Sequence, residues 1–401
     1  MRATQEAILA EMRAWGYRYV VTPTLENLDV LGLGLDAEQL RRLFKLTDAD
    51  GSLLAVVGER TVPVARLVSG RLRGVPLPQR LCYAGPVLTN DPGRFTRRRE
   101  SYQVGAELVG ASGPVADAEV IAMAVRCLDA AGLRRYQVDV GHAEFFQGLL
   151  DGLALPADLE PGVRAALARR DFVALEGLLD ATPLRSAEHE LLLRFPALRG
   201  GIEILDAAGR LVRNGRSERA LQELARVHDL LRAHGLGDGV SFDLGAIRDF
   251  DYYTGVIFEG YGAEGGRPLA QGGRYDRLLA RFGRPAPATG FMVHMDRTGE
   301  QLRLAGEGPE LTRLDAALAW AAAGLEEAVR LSGLLRMFGM RAVVDTGPRR
   351  LGGALEWGRA LGARHVLHVT GGDRVAWAAG AGRPRRLSAG QVVARLADRA
   401  P

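Results

Sequence analysis

The sequence predicts an α+β fold that contains a helical insertion and ends in a small α/β domain. Two strand-like runs of the 401-residue chain, 81–88 and 101–109, flank a polar, arginine-rich loop. They predict an antiparallel pair that binds something anionic. Residues 142–237 are rich in Leu, Ala and Glu at helical spacing, which predicts three to five helices. Beyond residue 315 strands alternate with helices, as in a small α/β domain.

The elements before the insertion follow from periodicity and from turn residues. Apolar residues from Ile8 to Trp15 recur at helical spacing and Gly16 follows them, which predicts a first helix. Residues 17–22 are β-branched or aromatic for the most part and end at Pro23, which predicts a strand. The same criteria then predict helix 37–45, strand 53–57, helix 60–70, the strand pair already described, helix 114–132 and strand 136–140.

Strands return after the insertion and continue into the C-terminal domain. We expect strands at 242–244, 252–261 and 290–295, with a helix at 275–282 between the last two. Residues 307–314 resemble a linker, so the predicted domains are 1–306 and 315–401. Within the second domain the predicted order is strand 315–320, helix 324–338, strand 341–345, helix 351–361, strand 365–369 and helix 388–398.

Composition excludes several classes of protein. The 52 basic and 48 acidic residues give a net charge of +4, which is too even to predict nucleic-acid binding by itself. No run of about 18 apolar residues is present, so we expect no membrane span. Two cysteines and a polar N-terminus without a signal peptide predict a reducing cytoplasm. No group of His, Cys, Asp and Glu has metal-ligand spacing, so neither a metal nor a cofactor is expected.

Five spaced motifs carry a resemblance to a known family. They are Val57-Gly-Glu-Arg-Thr61, Gln79-Arg-Leu-x-Tyr-x-Gly-Pro86, Gln103-x-Gly-x-Glu107, Arg248-Asp-Phe-Asp-Tyr-Tyr-Thr-Gly255 and Gly272-Gly-Arg-Tyr-Asp276. In this order they resemble the class II aminoacyl-tRNA synthetases, and specifically the histidyl enzymes. The resemblance covers essentially the whole chain. It implies an antiparallel sheet flanked by helices and a dimer interface built from residues 10–40.

The chemistry of these motifs suits a free amino acid. Such a ligand needs an acidic partner for its ammonium group, a cation for its carboxylate and a reader for its side chain. Carboxylates and amides can hold the ammonium, a planar guanidinium can pair with the carboxylate, and a carboxylate with a tyrosine pair can read an imidazole. The resemblance assigns these roles to the same histidine-binding residues: Glu59, Thr61, Gln103, Glu107, Arg248, Tyr252 and Tyr253.

The nucleotide side of the motifs departs from the family. The resemblance places at position 89 an arginine that binds the ATP α-phosphate, but the residue here is Thr89. His294 stands where the family has a glycine beneath the adenine, and a large side chain there should crowd the base. Arg99 and Arg297 persist, so attraction for phosphate is not abolished. Because adenylation depends on cationic clamping of phosphates, we expect no ATP activation.

A paralogue family shares this profile, the regulatory subunits of ATP phosphoribosyltransferase, which act in histidine biosynthesis. The segments Val138-Asp-Val-Gly-His142, Phe195-Pro-Ala-Leu-Arg-Gly-Gly201 and Phe242-Asp-Leu-Gly245 are similar to that family's pattern. The resemblance implies a protein without catalytic residues that binds L-histidine and partners a short-form catalytic subunit, as a homodimer within a hetero-oligomer. In the C-terminal domain, Leu351–Trp357 contains no basic residue, so tRNA binding is not expected.

Two other functions stay open at this level. An active histidyl-tRNA synthetase is favoured by the retained Arg248 and Arg297 and opposed by Thr89 and His294. A stand-alone histidine sensor with a different partner would need the same binding residues. Exchange of pyrophosphate into ATP separates the first of these from a regulatory subunit, and co-purification with a phosphoribosyltransferase separates the second.

Overall fold

The structure, a computed structural model, describes most of the chain. The described residues are 1–90, 99–152, 156, 158–168, 171–180, 189, 192–193, 195–245, 253–263, 266–307, 314–321, 323–380 and 382–397. The chain divides into two units, Met1–Pro309 and Glu310–Pro401. No helix within the described ranges combines the length and the apolar character that crossing a bilayer requires.

The N-terminal unit is built from helices around one large sheet and one small sheet. Its described helices are α1 Arg2–Ala14, α2 Leu28–Gly32, α3 Ala37–Arg41, α4 Thr61–Ser69, α5 Pro114–Ala130, α6 Ala143–Asp151, α7 Glu160–Ala168, α8 Phe172–Asp180, α9 Glu203–Leu211, α10 Gly215–Ala233 and α11 Met295–Ala305. Its described strands are β1 Arg18–Tyr19, β2 Leu25–Asn27, β3 Lys45–Thr47, β4 Leu53–Val56, β5 Gln79–Leu88, β6 Glu100–Val109, β7 Tyr136–His142, β8 Arg199–Gly200, β9 Val240–Asp243, β10 Val256–Gly262, β11 Pro268–Arg274 and β12 Ala288–His294.

The large sheet has the strand order β1-β5-β6-β12-β11-β10-β7-β9-β8. Its centre, from β5 to β7, is antiparallel throughout. Two pairs towards the edges, β1 with β5 and β7 with β9, are parallel. The strands β2-β4-β3 form a separate antiparallel sheet. The predicted α+β class, with a class II synthetase-like antiparallel sheet, flanking helices and a helical insertion, is therefore confirmed.

Helices cover one face of the large sheet because alternate strand residues on that face are apolar. Ile8 and Met12 of α1, Met123 of α5 and Leu224 of α10 are completely buried, and Phe258 of β10 is 1% exposed. These side chains belong to one continuous apolar core. The opposite face of the sheet is therefore left to carry the polar residues.

Helix α4 begins beside that polar face, and a buried strand end fixes where it starts. Val57 is completely buried, and its carbonyl accepts a hydrogen bond from the backbone of Leu88 at 3.0 Å. Glu59 then accepts from the first two amide groups of the helix, at Thr61 and Val62, both at 2.8 Å. The first turn of α4 consequently presents Glu59 and Thr61 next to β6.

The C-terminal unit is a five-stranded sheet with helices. Its described strands are β13 Ala316–Trp320, β14 Ala342–Val344, β15 His365–Val369, β16 Val375–Ala379 and β17 Arg385–Leu387. Its described helices are α12 Leu325–Met337, α13 Leu351–Ala360 and α14 Ala389–Ala397. The strand order is β14-β13-β15-β16-β17, parallel among the first three and antiparallel afterwards. The predicted small α/β domain is confirmed, although its terminal hairpin β16–β17 was not predicted.

Several element predictions were wrong, and tertiary pairing explains most of them. The predicted helix 37–45 ends at Arg41, because residues 45–47 pair with β4 across a turn at Gly51 (φ 86°). The predicted strand 17–22 is reduced to Arg18–Tyr19. The predicted helix 275–282 is only a 3-10 turn, Leu279–Phe282, and the helical insertion also contributes the short strand β8.

Strand β11 was missed because its glycine pair was taken as a loop signal. Gly272 and Gly273 instead lie inside the sheet, where neighbouring atoms approach their α-carbons closely. A Cβ at Gly272 would lie 2.5 Å from the carbonyl oxygen of Gly290 on β12. Glycine is therefore required by close strand packing at this position, and not by a turn.

Candidate functional site

The polar face of the large sheet concentrates the residues of the recognised motifs. Residues that pair directly across strands share a face. Glu107 on β6 pairs with Gly290 on β12, and Gln103 pairs with His294 on one side and with Gly85 of β5 on the other. The strand period thus brings motifs that are far apart in sequence onto one surface.

Glu107 lies at the floor of this surface and is surrounded by hydroxyl groups. Its side chain belongs to a residue that is only 1% exposed. Thr61 Oγ1 donates a hydrogen bond to Glu107 Oε1 at 2.9 Å, and the hydroxyl of Tyr83 donates to the same oxygen at 3.3 Å. The hydroxyl of Tyr275 donates to Glu107 Oε2. Three neutral donors hold the carboxyl in place, and none of them compensates a full negative charge.

The protonation of Glu107 follows from this environment. Burial raises the pKa of Glu107 to about 8, although the hydrogen bonds from Tyr275, Thr61 and Tyr83 oppose the rise. The nearby Glu59 carboxyl raises it further. A carboxyl that exchanges its proton near neutrality can accept a hydrogen bond from one form of an imidazole and donate one to another.

Gly290 makes room for the Glu107 side chain. A Cβ at position 290 would overlap Glu107 Oε2 and lie 2.6 Å from the carbonyl oxygen of Ala106. Because Ala106 is backbone in the middle of β6, it cannot move aside without breaking the sheet. The glycine and the glutamate are therefore a matched pair across two strands.

Glu59 is the second carboxyl of the site. It is half-buried and its two oxygens already accept the amide groups that open α4. Burial raises the pKa of Glu59 to about 7, while the bonds from Val62 and Thr61 lower it. Each oxygen retains a second lone pair, so the carboxyl can also accept a hydrogen bond from a bound cation.

A cavity opens above these two carboxyls. It contains about 370 Å³ of empty space including its mouth, within the range of small-molecule sites. Gln103 is 3% exposed, and its Oε1 is buried without a hydrogen-bond partner among the described residues. Because a buried acceptor without a donor is unfavourable, this atom indicates a missing ligand group. The lining residues are Glu59, Thr61, Gln103, Tyr253, Gln271, Tyr275, Gly290, Phe291 and Met292.

Comparison with known proteins identifies the family. The sequence model of the histidyl-tRNA synthetase family matches residues 1–298. A protein of Syntrophotalea carbinolica named ATP phosphoribosyltransferase regulatory subunit is 40% identical over 356 residues, which are 88% of this chain and 83% of the relative. The chain belongs to the ATP phosphoribosyltransferase regulatory subunit family. It is consequently a non-catalytic subunit with a regulatory role in histidine biosynthesis, and not a tRNA ligase.

Solved structures agree with this membership. A crystal structure described as an ATP phosphoribosyltransferase regulatory subunit/histidyl-tRNA synthetase from Bacillus halodurans matches with a TM-score of 0.79 at 30% identity, covering 92% of this chain and 94% of that one. A histidyl-tRNA synthetase from a Nostoc species matches with a TM-score of 0.83, covering 99% and 94% of the two chains. That second likeness, at 18% identity, concerns the fold alone.

In this regulatory-subunit family member, His294 is tied into a chain of hydrogen bonds beside the cavity. Its Nε2 lies 2.9 Å from Gln271 Oε1, and Gln271 Nε2 donates to Glu259 Oε1 at 2.8 Å. Because the Glu259 carboxylate only accepts, the amide nitrogen of Gln271 faces it and His294 must donate from Nε2. Burial, with Arg297 and Arg267 nearby, lowers the pKa of His294 to about 3, so the ring is neutral.

The other predicted nucleotide-side residues do not line the cavity. Thr89 is exposed at the end of β5, where its amide donates to the carbonyl of Arg99 at 2.9 Å. The Arg99 guanidinium lies 5.8 Å from the ring centroid of Phe44. Arg297 Nη1 donates to the carbonyl of Pro268 at 2.7 Å. Their role towards a nucleotide stays a prediction, as does that of His294.

Five of the seven predicted histidine-binding residues come together in the structure. Glu59, Thr61, Gln103 and Tyr253 line the cavity, and Glu107 lies beneath it in contact with Thr61 and Tyr275. The remaining two, Arg248 and Tyr252, lie outside the described residues. The binding role of the whole set stays a prediction.

Sequence reasoning missed several residues of this surface. Tyr83 and Tyr275 were parts of recognised motifs but were given no role, and Gln271 was not singled out. The strand period could have found them, because Tyr83 is two residues before Gly85 and Gln271 two before Gly273. Arg274, from the same motif as Tyr275, lies on the other face and pairs with Asp117 at 2.9 Å. That arginine fixes the sheet to α5 instead of touching the cavity.

Proposed function

We propose that the chain binds free L-histidine in this cavity and mediates feedback on a catalytic subunit of ATP phosphoribosyltransferase. The partner would be the short-form catalytic subunit, and the assembly a hetero-oligomer. The observation that carries the proposal is the buried Glu107 carboxyl with its hydroxyl donors, below a cavity that holds Glu59 and an unpartnered Gln103 oxygen.

Histidine suits the chemistry of these groups. Its ammonium can donate to Glu59 and to Gln103 Oε1, which supplies the donor that this buried oxygen lacks. Its imidazole can then reach towards Glu107, which exchanges hydrogen bonds with a ring nitrogen more selectively than with an apolar side chain. The ring of Tyr253 lines the cavity as a flat apolar wall.

Feedback requires that histidine bind two states of the complex unequally. The cavity walls come from α4, β6, β11 and β12, so a ligand that draws them together would restrain the start of α4 relative to the sheet. We propose that this restraint is what the catalytic subunit senses. The direction of the response is left to experiment.

A homodimer within the assembly has support in the exposed side chains near the N-terminus. The apolar residues Tyr19, Val21 and Leu25 are 42%, 76% and 47% exposed, and Leu46 and Leu53 of the neighbouring three-stranded sheet are 45% and 51% exposed. Exposed apolar groups of this number within one short region favour association. Sedimentation of the purified chain measures its oligomeric state, and a monomer at micromolar concentration would contradict this part of the proposal.

The proposed function is tested by binding and by co-purification. Calorimetry with L-histidine measures the first, and a pull-down of a short-form catalytic subunit from the same genome measures the second. We expect histidine to bind with a stoichiometry of about one per chain and the two subunits to elute together. A chain that binds neither histidine nor the catalytic subunit would contradict the proposal.

Histidine binding should depend on pH because Glu59 must be ionised to pair with an ammonium group. Since the pKa of Glu59 is raised to about 7, the free site is largely protonated at pH 6 and largely ionised at pH 8. We expect affinity to rise over this window, by up to about tenfold per pH unit below 7. Calorimetry across the window measures it.

The ligand imidazole titrates in the same range, at about 6.5, so the Glu59→Gln variant is the control. That variant keeps the ligand's own titration and the contribution of Glu107 but removes the carboxyl under test. We expect its affinity to be lower and to vary less between pH 6 and pH 8. Equal pH dependence in the two proteins would contradict the role of Glu59.

A further inference from the structure

Arg60 is a buried arginine between two cavity residues, Glu59 and Thr61. It is 3% exposed. Its Nη1 donates to Thr22 Oγ1 at 2.9 Å and to the Thr22 carbonyl at 3.4 Å, and its Nη2 donates to the carbonyl of Pro86 at 2.7 Å. All of these acceptors are neutral, so the positive charge of the guanidinium is surrounded by dipoles alone.

The guanidinium has neither a counter-ion nor a full set of acceptors. Among the residues that the structure describes, none forms an ion pair with Arg60, and its Nε is buried without a hydrogen-bond partner. Glu59 is the neighbour in sequence, but both of its oxygens accept backbone amides of α4. Burial lowers the pKa of Arg60 below its usual range. A buried charge without a partner is costly, which indicates that an anion is missing.

The position of the guanidinium links it to the cavity. It lies above Gly85, where a Cβ would be only 2.6 Å from Arg60 Nε. Gly85 pairs directly with Gln103, and Gln103 lines the cavity. Directly paired strand residues are about 5 Å apart. The unpartnered donor of Arg60 therefore lies next to the unpartnered acceptor of Gln103.

These two atoms together describe one kind of ligand group. A buried oxygen that needs a donor, beside a buried cation that needs an anion, matches the ammonium and the carboxylate on a single α-carbon. We propose that Arg60 binds the carboxylate of the amino acid in the cavity and selects for ligands that carry one. This inference rests on the proposed histidine site and assigns it a residue that none of the recognised motifs assigned.

Arg60 also lies close to the position of the missing family arginine. A Cβ on Gly58, two residues before Arg60, would lie 3.5 Å from Thr89 Cγ2. The cation would thus come from the start of α4, on the amino-acid side of the cavity, instead of from the end of β5. A guanidinium held by Thr22 and Pro86 is fixed in place, so it can bind a carboxylate without reaching towards a nucleotide.

The test compares L-histidine with L-histidinol, in which an alcohol replaces the carboxylate. Calorimetry of the full chain should give about 10- to 100-fold tighter binding of histidine, since a charged hydrogen bond contributes about 1.5–3 kcal/mol. In the Arg60→Met variant histidine should weaken by about the same factor while histidinol changes less than about threefold. Arg71→Met, an exposed arginine shortly after α4, is the control and should keep the full preference.

Each outcome separates this inference from the proposed function. A wild-type chain that binds no histidine rejects the histidine site itself. Equal binding of histidine and histidinol, or a preference that survives in Arg60→Met and disappears in Arg248→Met, overturns the role of Arg60 alone. If thermal unfolding shows that Arg60→Met does not fold, Arg60→Lys replaces it. A point charge in place of the fork should then reduce the preference about threefold or more, and an unchanged preference overturns the proposal.

Discussion

The Glu107→Ala variant should bind L-histidine roughly 30- to 150-fold more weakly than the wild-type chain, corresponding to a loss of about 2–3 kcal/mol. Glu107 is the only carboxyl among the described residues that accepts hydroxyls of Thr61, Tyr83 and Tyr275 together, and the proposed imidazole would complete its shell. Removing it leaves three hydroxyls and a ring nitrogen without their acceptor. Calorimetry at one fixed pH measures the change.

A second glutamate provides the matched control. Glu119 on α5 accepts from Arg80 at 2.7 Å and from the Tyr17 hydroxyl at 3.0 Å, and it does not line the cavity. Glu119→Ala also removes a carboxyl from tyrosine and arginine partners, so it should alter stability without altering histidine affinity. Equal affinity of wild type and Glu107→Ala would show that the imidazole is read elsewhere.

The Gly290→Ala variant should lose both stability and histidine binding. One added methyl group would overlap Glu107 Oε2 and press against the Ala106 carbonyl, so the carboxyl must leave its three hydroxyl donors or the strands must separate. Overpacking of this kind typically costs about 1–3 kcal/mol of folding free energy. We expect a lower thermal midpoint and a loss of histidine affinity of more than tenfold.

Gly299→Ala is the control for this change. Gly299 lies in α11, and a Cβ there would meet no atom within 4 Å. Alanine in the middle of a helix stabilises by roughly 0.5–1 kcal/mol relative to glycine, so the control should be as stable as the wild type or more stable. Normal stability and normal histidine affinity in Gly290→Ala would contradict the close pairing of positions 290 and 107.

Sequence could predict those parts of the fold and site that local patterns determine. The helix of Ile8 to Trp15, the strand pair around 81–88 and 101–109, and the α/β alternation beyond 315 each follow from a short-range period, and the structure has them. Motif order also predicted which residues gather. Glu59, Thr61 and Glu107 are 48 residues apart at most, and they meet because α4 begins beside β6.

What depends on distant partners could not be predicted from the sequence. Strand β3 forms only because β4 offers it an antiparallel neighbour, and β11 needs glycines because β10 and β12 pack tightly against it. Arg60 looked like an ordinary charged residue at a helix start. Its burial, and the absence of a counter-ion among the described residues, become visible only when Thr22, Gly85 and Pro86 are brought around it.

The most direct measurement is the rate of ATP phosphoribosyltransferase in the catalytic subunit, reconstituted with this chain and titrated with histidine. With the wild-type chain we expect the rate to depend on the chain and to respond to histidine. With Glu107→Ala the chain should still bind its partner, but the response should shift to roughly 30- to 150-fold higher histidine. An identical histidine response with both chains would contradict a regulatory histidine site in this cavity.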